Sequence, residues 1–130
     1  MMRRLTVAST VDAPPEAAWD LLTNVADWPR WGSSIASATL AGGAERVGPG
    51  ATGSVTTIVG VRLPFTITEF VDGVTWRWKV AGVPATGHGV RAAGNGRCEV
   101  WFDLPIVAAP YAVACRLALR NIENILQASR

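Results

Sequence analysis

The chain holds one histidine, His88, so any imidazole acid–base chemistry rests on that side chain. It stands in a strand-like run with Thr86 and Val90 on the same face. Gly87 and Gly89 leave the opposite face without side-chain bulk, where another backbone or a second subunit can approach. Glu69 follows Phe65 and Ile67 at period two, which carries a carboxylate toward an apolar row. A carboxylate there is costly unless paired, and its proton affinity rises. Two arrangements stay open: an inward Glu69 that pairs with His88 to orient a ligand, or a Glu69 turned outward by a bulge. His88 and Glu69 are the chain's candidates for catalysis.

Aromatic residues make up the rest of the candidate set. Trp76 and Trp78 alternate with Thr75, Arg77 and Lys79, so both indoles project to one side with Val80. The row reads either as the wall of a cavity that stacks on a flat ligand or as ordinary core. Phe65 and Ile67 belong to the neighbouring run and point the same way. Trp28 and Trp31 stand three apart and share a face, at a cavity entrance or packed beneath a sheet. Tyr111, near the start of the last helical run, can turn its hydroxyl into the same space. Arg91 and Arg97 flank a Gly94-Asn95-Gly96 turn, either to hold an acidic group at a cavity mouth or as solvated surface.

Other chemistries find no footing. Cys98 and Cys115 are the only cysteines, and with one histidine they match no zinc spacing, so they read as small apolar core residues. No Ser-His-Asp spacing, phosphate loop or metal motif is present, and no cofactor is expected. The formal net charge of +2 is too small for a nucleic-acid surface, and Met1-Met2-Arg3-Arg4 is too brief for a basic arm. Charged residues are 17% of the chain, below the roughly 25% usual for globular domains, while apolar residues reach 49%. So sparse a charged cover fits an internal apolar site, a self-association face such as a homodimer, or both. No signal peptide precedes the first strand-like run, and the longest apolar stretch, Ile106 to Cys115, is interrupted by Pro110. The expectation is a soluble, cytoplasmic protein with no integral membrane segment.

These side chains need a scaffold, and the pattern supplies one over residues 1–130 as a single domain. Leu5 to Val11 alternates as a half-buried strand. Asp12, Pro14, Pro15 and Glu16 then read as a capped helix start, with the helix ending near Asn24. A second short helix follows around Trp28, with Asp27 as its cap and Gly32 at its end. From Ser37 to Phe102 strands alternate with turn signals at Gly42-Gly43, Gly48-Pro49-Gly50, Gly60, Asp72-Gly73, Gly82 to Pro84 and Gly94-Asn95-Gly96. Beyond Pro105, Tyr111, Cys115, Ala118, Ile122 and Ile125 recur at helical spacing, and Pro110 sits near the first turn. The order predicts an α+β fold: a curved antiparallel sheet of six or seven strands around a long C-terminal helix, with two short helices after the first strand. A bent sheet gripping one helix leaves a space between them.

Two segments give this order a likeness. Val11-Asp12-Ala13-Pro14-Pro15-Glu16-Ala17-Ala18-Trp19 resembles the strand, Ala-Pro, acidic residue and Trp entry of the START-like (SRPBCC) superfamily. Asp27-Trp28-Pro29-Arg30-Trp31 resembles that superfamily's Asp-x-Pro-x-Trp segment, and the chain is most similar to its polyketide cyclase/dehydrase-type members. The resemblance spans essentially the whole chain and implies a helix-grip fold with a hydrophobic ligand cavity. It names no reaction, because the superfamily includes cyclases, carriers and hydroxylase subunits. Three expectations follow: a binder of an aromatic, polyketide-like or lipid molecule, an aromatase/cyclase that closes a poly-β-keto chain by aldol condensation and dehydration, or a homodimeric interaction module.

Overall fold

The computed structural model describes residues 3–128; Met1, Met2, Ser129 and Arg130 lie outside the described residues. Strand β1 (Arg4–Val11) leads into α1 (Pro15–Thr23), a 3-10 turn (Val25–Asp27) and α2 (Trp28–Trp31). Six further strands follow: β2 (Ile35–Leu40), β3 (Thr52–Thr57), β4 (Arg62–Val71), β5 (Thr75–Val80), β6 (Val83–Gly94) and β7 (Arg97–Pro105). A 3-10 segment (Ile106–Tyr111) then turns the chain into α3 (Ala112–Ala128). The seven strands form one antiparallel sheet in the order β1-β7-β6-β5-β4-β3-β2. Every neighbouring pair except β1–β7 is consecutive in sequence, as tight turns require. This is the α+β helix-grip architecture that the element order predicts.

The turns carry the left-handed conformations that join twisted strands. Ala81 and Gly82 both have positive φ (52° and 78°), as do Asn95 and Gly96 (55° and 71°), which matches the twist of two-residue hairpins. The first of these corrects the expected turn at Gly82 to Pro84. Val80 pairs with Val83, so β6 begins before Pro84. Ala81 tolerates its conformation because its N–H donates to the Pro64 carbonyl (2.8 Å).

Both expected caps are also corrected. Helix α1 starts after Pro14, with no side-chain cap, and the Asp12 backbone N–H instead meets Gln127 Oε1 of α3 (3.2 Å). Asp27 precedes α2 without capping it and pairs with Arg30 (3.0 Å), while the Asn24 side chain caps the 3-10 turn through the Ala26 N–H (3.0 Å). Two acidic residues predicted to cap helices thus hold the chain by other bonds, and proline fixes both helix entries.

Helix α3 buries Cys115, Ala118, Leu119, Ile122 and Leu126. Leu119 and Leu126 widen the predicted face and Ile125 packs at its edge, while Tyr111 falls outside it because the 3-10 segment through Pro110 delays the α-helix until Ala112. The helix rests chiefly on β1 and secondarily on β7, so it covers one flank of the sheet. Helix α1 lies beside it against β6 and β7, and α2 against β2; together they contribute Leu22, Trp28 and Trp31 to the same core. The helical cover is therefore uneven, and the uncovered end lies where β3, β5 and β7 finish.

Candidate ligand-binding cleft

Two β-bulges decide which side chains face inward. On β4, Ile67 pairs with Trp78 and Glu69 with Arg77, so Thr68 is an extra residue that reverses the alternation. Phe65 and Ile67 point into the core, Phe70 joins them beyond the bulge, and Glu69 faces out. Of the two arrangements open for Glu69, the outward one at a bulge is found and the Glu69–His88 pair is not formed. Glu69 instead meets Arg77 Nε at 2.9 Å with 61% of its side chain exposed, because the bulge offers a partner outside that the core lacks. On the β5–β6 pair the register shifts again between Arg77 and Lys79, which brings both Ala85 and Thr86 opposite Trp78.

Inside, the aromatic residues form one packed cluster. Trp28 stacks on Trp76 (5.3 Å, 12°), and Trp76 stacks on His88 (3.9 Å, 25°). Trp78 turns its edge to all three rings, and Phe65 packs against Trp28 and Trp78. The Trp28 and Trp31 indole N–H groups donate to the carbonyls of Leu22 (2.9 Å) and Leu21 (3.0 Å), which fixes α2 against the end of α1. Trp76 is fully buried, and its N–H has no hydrogen-bond partner among the described residues.

His88 is 2% exposed and makes two polar contacts, Nε2 with Thr86 Oγ1 (2.8 Å) and Nδ1 with the Trp76 carbonyl (3.4 Å). A carbonyl only accepts, so the proton belongs on Nδ1; the opposite tautomer would set two lone pairs against each other. Nε2 is then an acceptor and the Thr86 hydroxyl its donor. The Trp78 indole N–H donates to the same Thr86 oxygen (3.1 Å). Thr86 therefore keeps one free lone pair. Burial pushes the His88 pKa down to about 3, only partly opposed by the bond to the Trp76 carbonyl, so the ring is neutral near pH 7.

This network forms the floor of a cleft of about 330 Å³. Its walls are Ile35, Val55, Leu63, Trp78, Val80 and Leu104, with Pro84 and Tyr111 nearer solvent. Ser34, Thr57 and Thr86 are the polar lining besides the Tyr111 phenol. A narrower recess of about 50 Å³ shares Ile35, Trp78, Thr86 and Tyr111 and runs inward to Trp31, His88 and Cys115. The volume lies at the lower end of the roughly 300–1,000 Å³ typical of small-molecule sites. Among the described residues no cluster of His, Cys, Asp and Glu could hold a metal ion.

Of the candidates read from sequence, Trp78 and Tyr111 line the cleft, and Trp31 and His88 line its recess. Trp28, Trp76 and Ile67 lie in the packed core behind it, and Phe65 packs there as well. Tyr111 is 49% exposed, at the rim rather than deep inside. Arg91 pairs with Glu99 on the outer surface, and Arg97 is exposed there. Val55, Leu63 and Leu104 escaped the sequence reading as lining residues. Val55 and Leu63 occupy inward places within the predicted run of strands, where alternation held the signal without saying where the space lies, and Leu104 lies just beyond that run in β7.

The convex face explains the glycines beside His88. A Cβ at Gly89 would fall within the Trp101 ring, and one at Gly87 would collide with the Arg77–Asp103 ion pair. The approach comes from within this chain. Asp103 accepts from Arg77 (Nη2–Oδ2 2.6 Å) and from Arg4 Nε (2.9 Å), while Arg4 Nη2 reaches the Ala85 carbonyl (3.0 Å). With Glu69 on Arg77, one ionic chain crosses β1, β7, β6, β5 and β4. The two guanidinium groups hold the Asp103 carboxyl below its usual range although burial opposes this.

The model of a family described as polyketide cyclase/dehydrase and lipid transport matches residues 2–128. No curated protein matches the chain. Among solved structures, a Mesorhizobium loti protein aligns with a TM-score of 0.78 at 11% identity, over 98% of this chain and 99% of that one. The protein XoxI from Bacillus cereus aligns with a TM-score of 0.75 at 14% identity, over 97% and 96%. The di-domain ARO/CYC protein BexL aligns with a TM-score of 0.71 at 14% identity, over 95% of this chain and 46% of its own. At such identities the likeness shows the fold. The match along nearly the whole sequence shows more: the chain belongs to the polyketide cyclase/dehydrase and lipid transport family.

Proposed function

We propose that the chain binds a hydrophobic small molecule, aromatic, polyketide-like or lipid, in the cleft between the sheet and the 3-10 segment that leads into α3, rather than beneath α3 itself, which reaches only the inner recess. The observation that carries this reading is the cleft itself: apolar walls from five strands and a floor where Thr86 presents one uncommitted lone pair. Apolar burial supplies affinity, at roughly 25 cal/mol per Å² before association costs, and the hydroxyl supplies orientation. A ligand whose hydroxyl or N–H donates to Thr86 Oγ1 fits the floor better than a pure hydrocarbon.

A second reading is aldol cyclisation and dehydration of a poly-β-keto chain. One arrangement favours it: the Thr86 hydroxyl joins the cleft to the His88 imidazole, so a proton has a path between ligand and ring. Against it, a ring whose pKa is near 3 is a weak base at neutral pH. Binding is the stronger reading.

Native mass spectrometry of the purified protein tests both. The binding reading expects a co-purifying fatty acid, isoprenoid or similar molecule that is lost from Trp78→Ala while circular dichroism is unchanged. A bound cyclised aromatic would favour the enzyme. A protein that takes up no hydrophobic probe at all would end both readings.

A further inference from the structure

The sheet topology gathers three connections at one end of the molecule: the β3–β4 hairpin, the β5–β6 turn and the 3-10 segment between β7 and α3. These are the connections that supply Thr57, Pro84, Pro105 and Tyr111 to the cleft, so this end is its mouth. Most of the exposed large apolar side chains are concentrated here. Val59 is 80% and Val107 85% exposed, and Ile58, Val83, Ile106 and Val113 are also exposed at the same end. Residues of this type on turn tips carry a solvation cost that a bare hairpin does not require. Charge follows the same geography. Segments 57–63, 79–86 and 104–117 contain Arg62, Lys79 and Arg116, all exposed, and no Asp or Glu.

We infer that this end docks on a lipid bilayer bearing anionic headgroups, with the cleft mouth facing the membrane. Isolated aliphatic tips ringed by cations suit the interface, where side chains enter the acyl boundary and basic groups stay at headgroup level. A protein partner would need acidic groups arranged to match the three cations, whereas an anionic leaflet needs no such register. The inference rests on the cleft holding a hydrophobic molecule, which could then pass between bilayer and cleft without crossing water.

Co-sedimentation with vesicles tests it. One set is phosphatidylcholine alone and the other carries a minority of phosphatidylglycerol. The wild-type chain should bind the anionic set, more weakly as salt rises, by about fivefold per basic residue engaged. Ile58→Ser/Val59→Ser should weaken partition by at least about tenfold. Val71→Ser, an exposed site at the opposite end, should leave it unchanged. Fluorescence of cis-parinaric acid monitors the cleft separately and should be retained by both variants. Absence of vesicle binding by a chain that takes up parinaric acid overturns the docking and leaves the ligand reading intact. Vesicle binding without uptake of the probe keeps the docking and removes the ligand reading. Equal sedimentation of the tip variant, or a dimer in light scattering that the tip substitutions convert to monomer, would assign the surface otherwise and overturn the proposal.

Discussion

His88 lies flat against Trp76, with ring centroids 3.9 Å apart and planes 25° from parallel. The only imidazole of the chain is thereby a member of an aromatic stack, and its nitrogens are satisfied by Thr86 and the Trp76 carbonyl. Burial favours the neutral ring, since the charged form would have to leave water behind.

The pH dependence of stability follows from that placement. The His88 pKa is depressed from 6.5 to about 3 in the folded chain, so between these values the unfolded chain binds the extra proton. Stability contributed by the neutral ring is therefore intact above about pH 6.5 and declines as pH falls, by at most about 1.4 kcal/mol per pH unit. Asp103 acts in a lower window, because its two arginine partners hold its carboxyl beneath the ordinary carboxylate range in the folded chain. Urea unfolding at pH 7 and pH 5 should show the loss in the wild type and much less of it in His88→Phe. Equal losses in both would show that His88 titrates normally.

Asp103 and Glu69 both bond Arg77, yet their removal should differ widely. Asp103 has 8% of its side chain exposed and serves two arginines, each about a quarter exposed. Asp103→Ala leaves both guanidinium groups without their main partner and should cost about 2–3 kcal/mol, below the 3–5 of a fully buried pair because solvent reaches the arginines. Glu69→Ala removes a largely exposed ion pair and should cost at most about 0.5 kcal/mol. It should also leave the His88 NMR titration where it was. Chemical denaturation of the two variants checks the ranking, and a Glu69 variant that moved the imidazole resonances would contradict the outward placement.

Gly89 and Trp101 form a cross-strand pair in which the ring occupies the space a side chain would fill. Gly89→Ala should destabilise the fold by about 1–3 kcal/mol, the usual range for overpacking. Trp101→Ala loses packing on its own but makes room for the new methyl. The double variant should therefore be more stable than the sum of the two losses, by an interaction of about 0.5–3 kcal/mol in a double-mutant cycle. Simple additivity would mean the ring stands elsewhere.

Sequence pattern carried the scaffold well and the cleft less well. Strand order, the Asp72-Gly73 and Asn95-Gly96 turns and the inward row of Trp76 and Trp78 were legible, because alternation and turn chemistry are local. For Glu69 the pattern left an inward and a bulged, outward place both open; the extra residue that decides between them, Thr68, reverses every later side chain and leaves no mark in composition. The glycines beside His88 announced a close approach but not its source; Trp101 lies twelve residues on and meets Gly89 only through strand pairing. Whether an aromatic lines a hollow or fills it depends on helix placement. That is why Trp28 and Trp76 proved to be core while Trp78 borders space.

That distinction yields the last prediction, a contrast between two tryptophans in edge contact at 5.3 Å. Trp28 is wholly buried, stacked on Trp76 and bonded to the Leu22 carbonyl, so Trp28→Ala opens a cavity inside the core and should cost about 3–5 kcal/mol. Trp78 is half-buried, with one side already open to the cleft, so Trp78→Ala enlarges existing space and loses fewer contacts. It also frees the Thr86 oxygen from its indole donor, which adds a second acceptor position to the floor. The Trp78 variant should be the more stable of the two by at least about 1 kcal/mol and should bind a hydrophobic probe more weakly. Thermal unfolding and probe titration together check the contrast. Equal destabilisation with unchanged probe affinity would place Trp78 in the core beside Trp28 and remove the aromatic wall from the cleft.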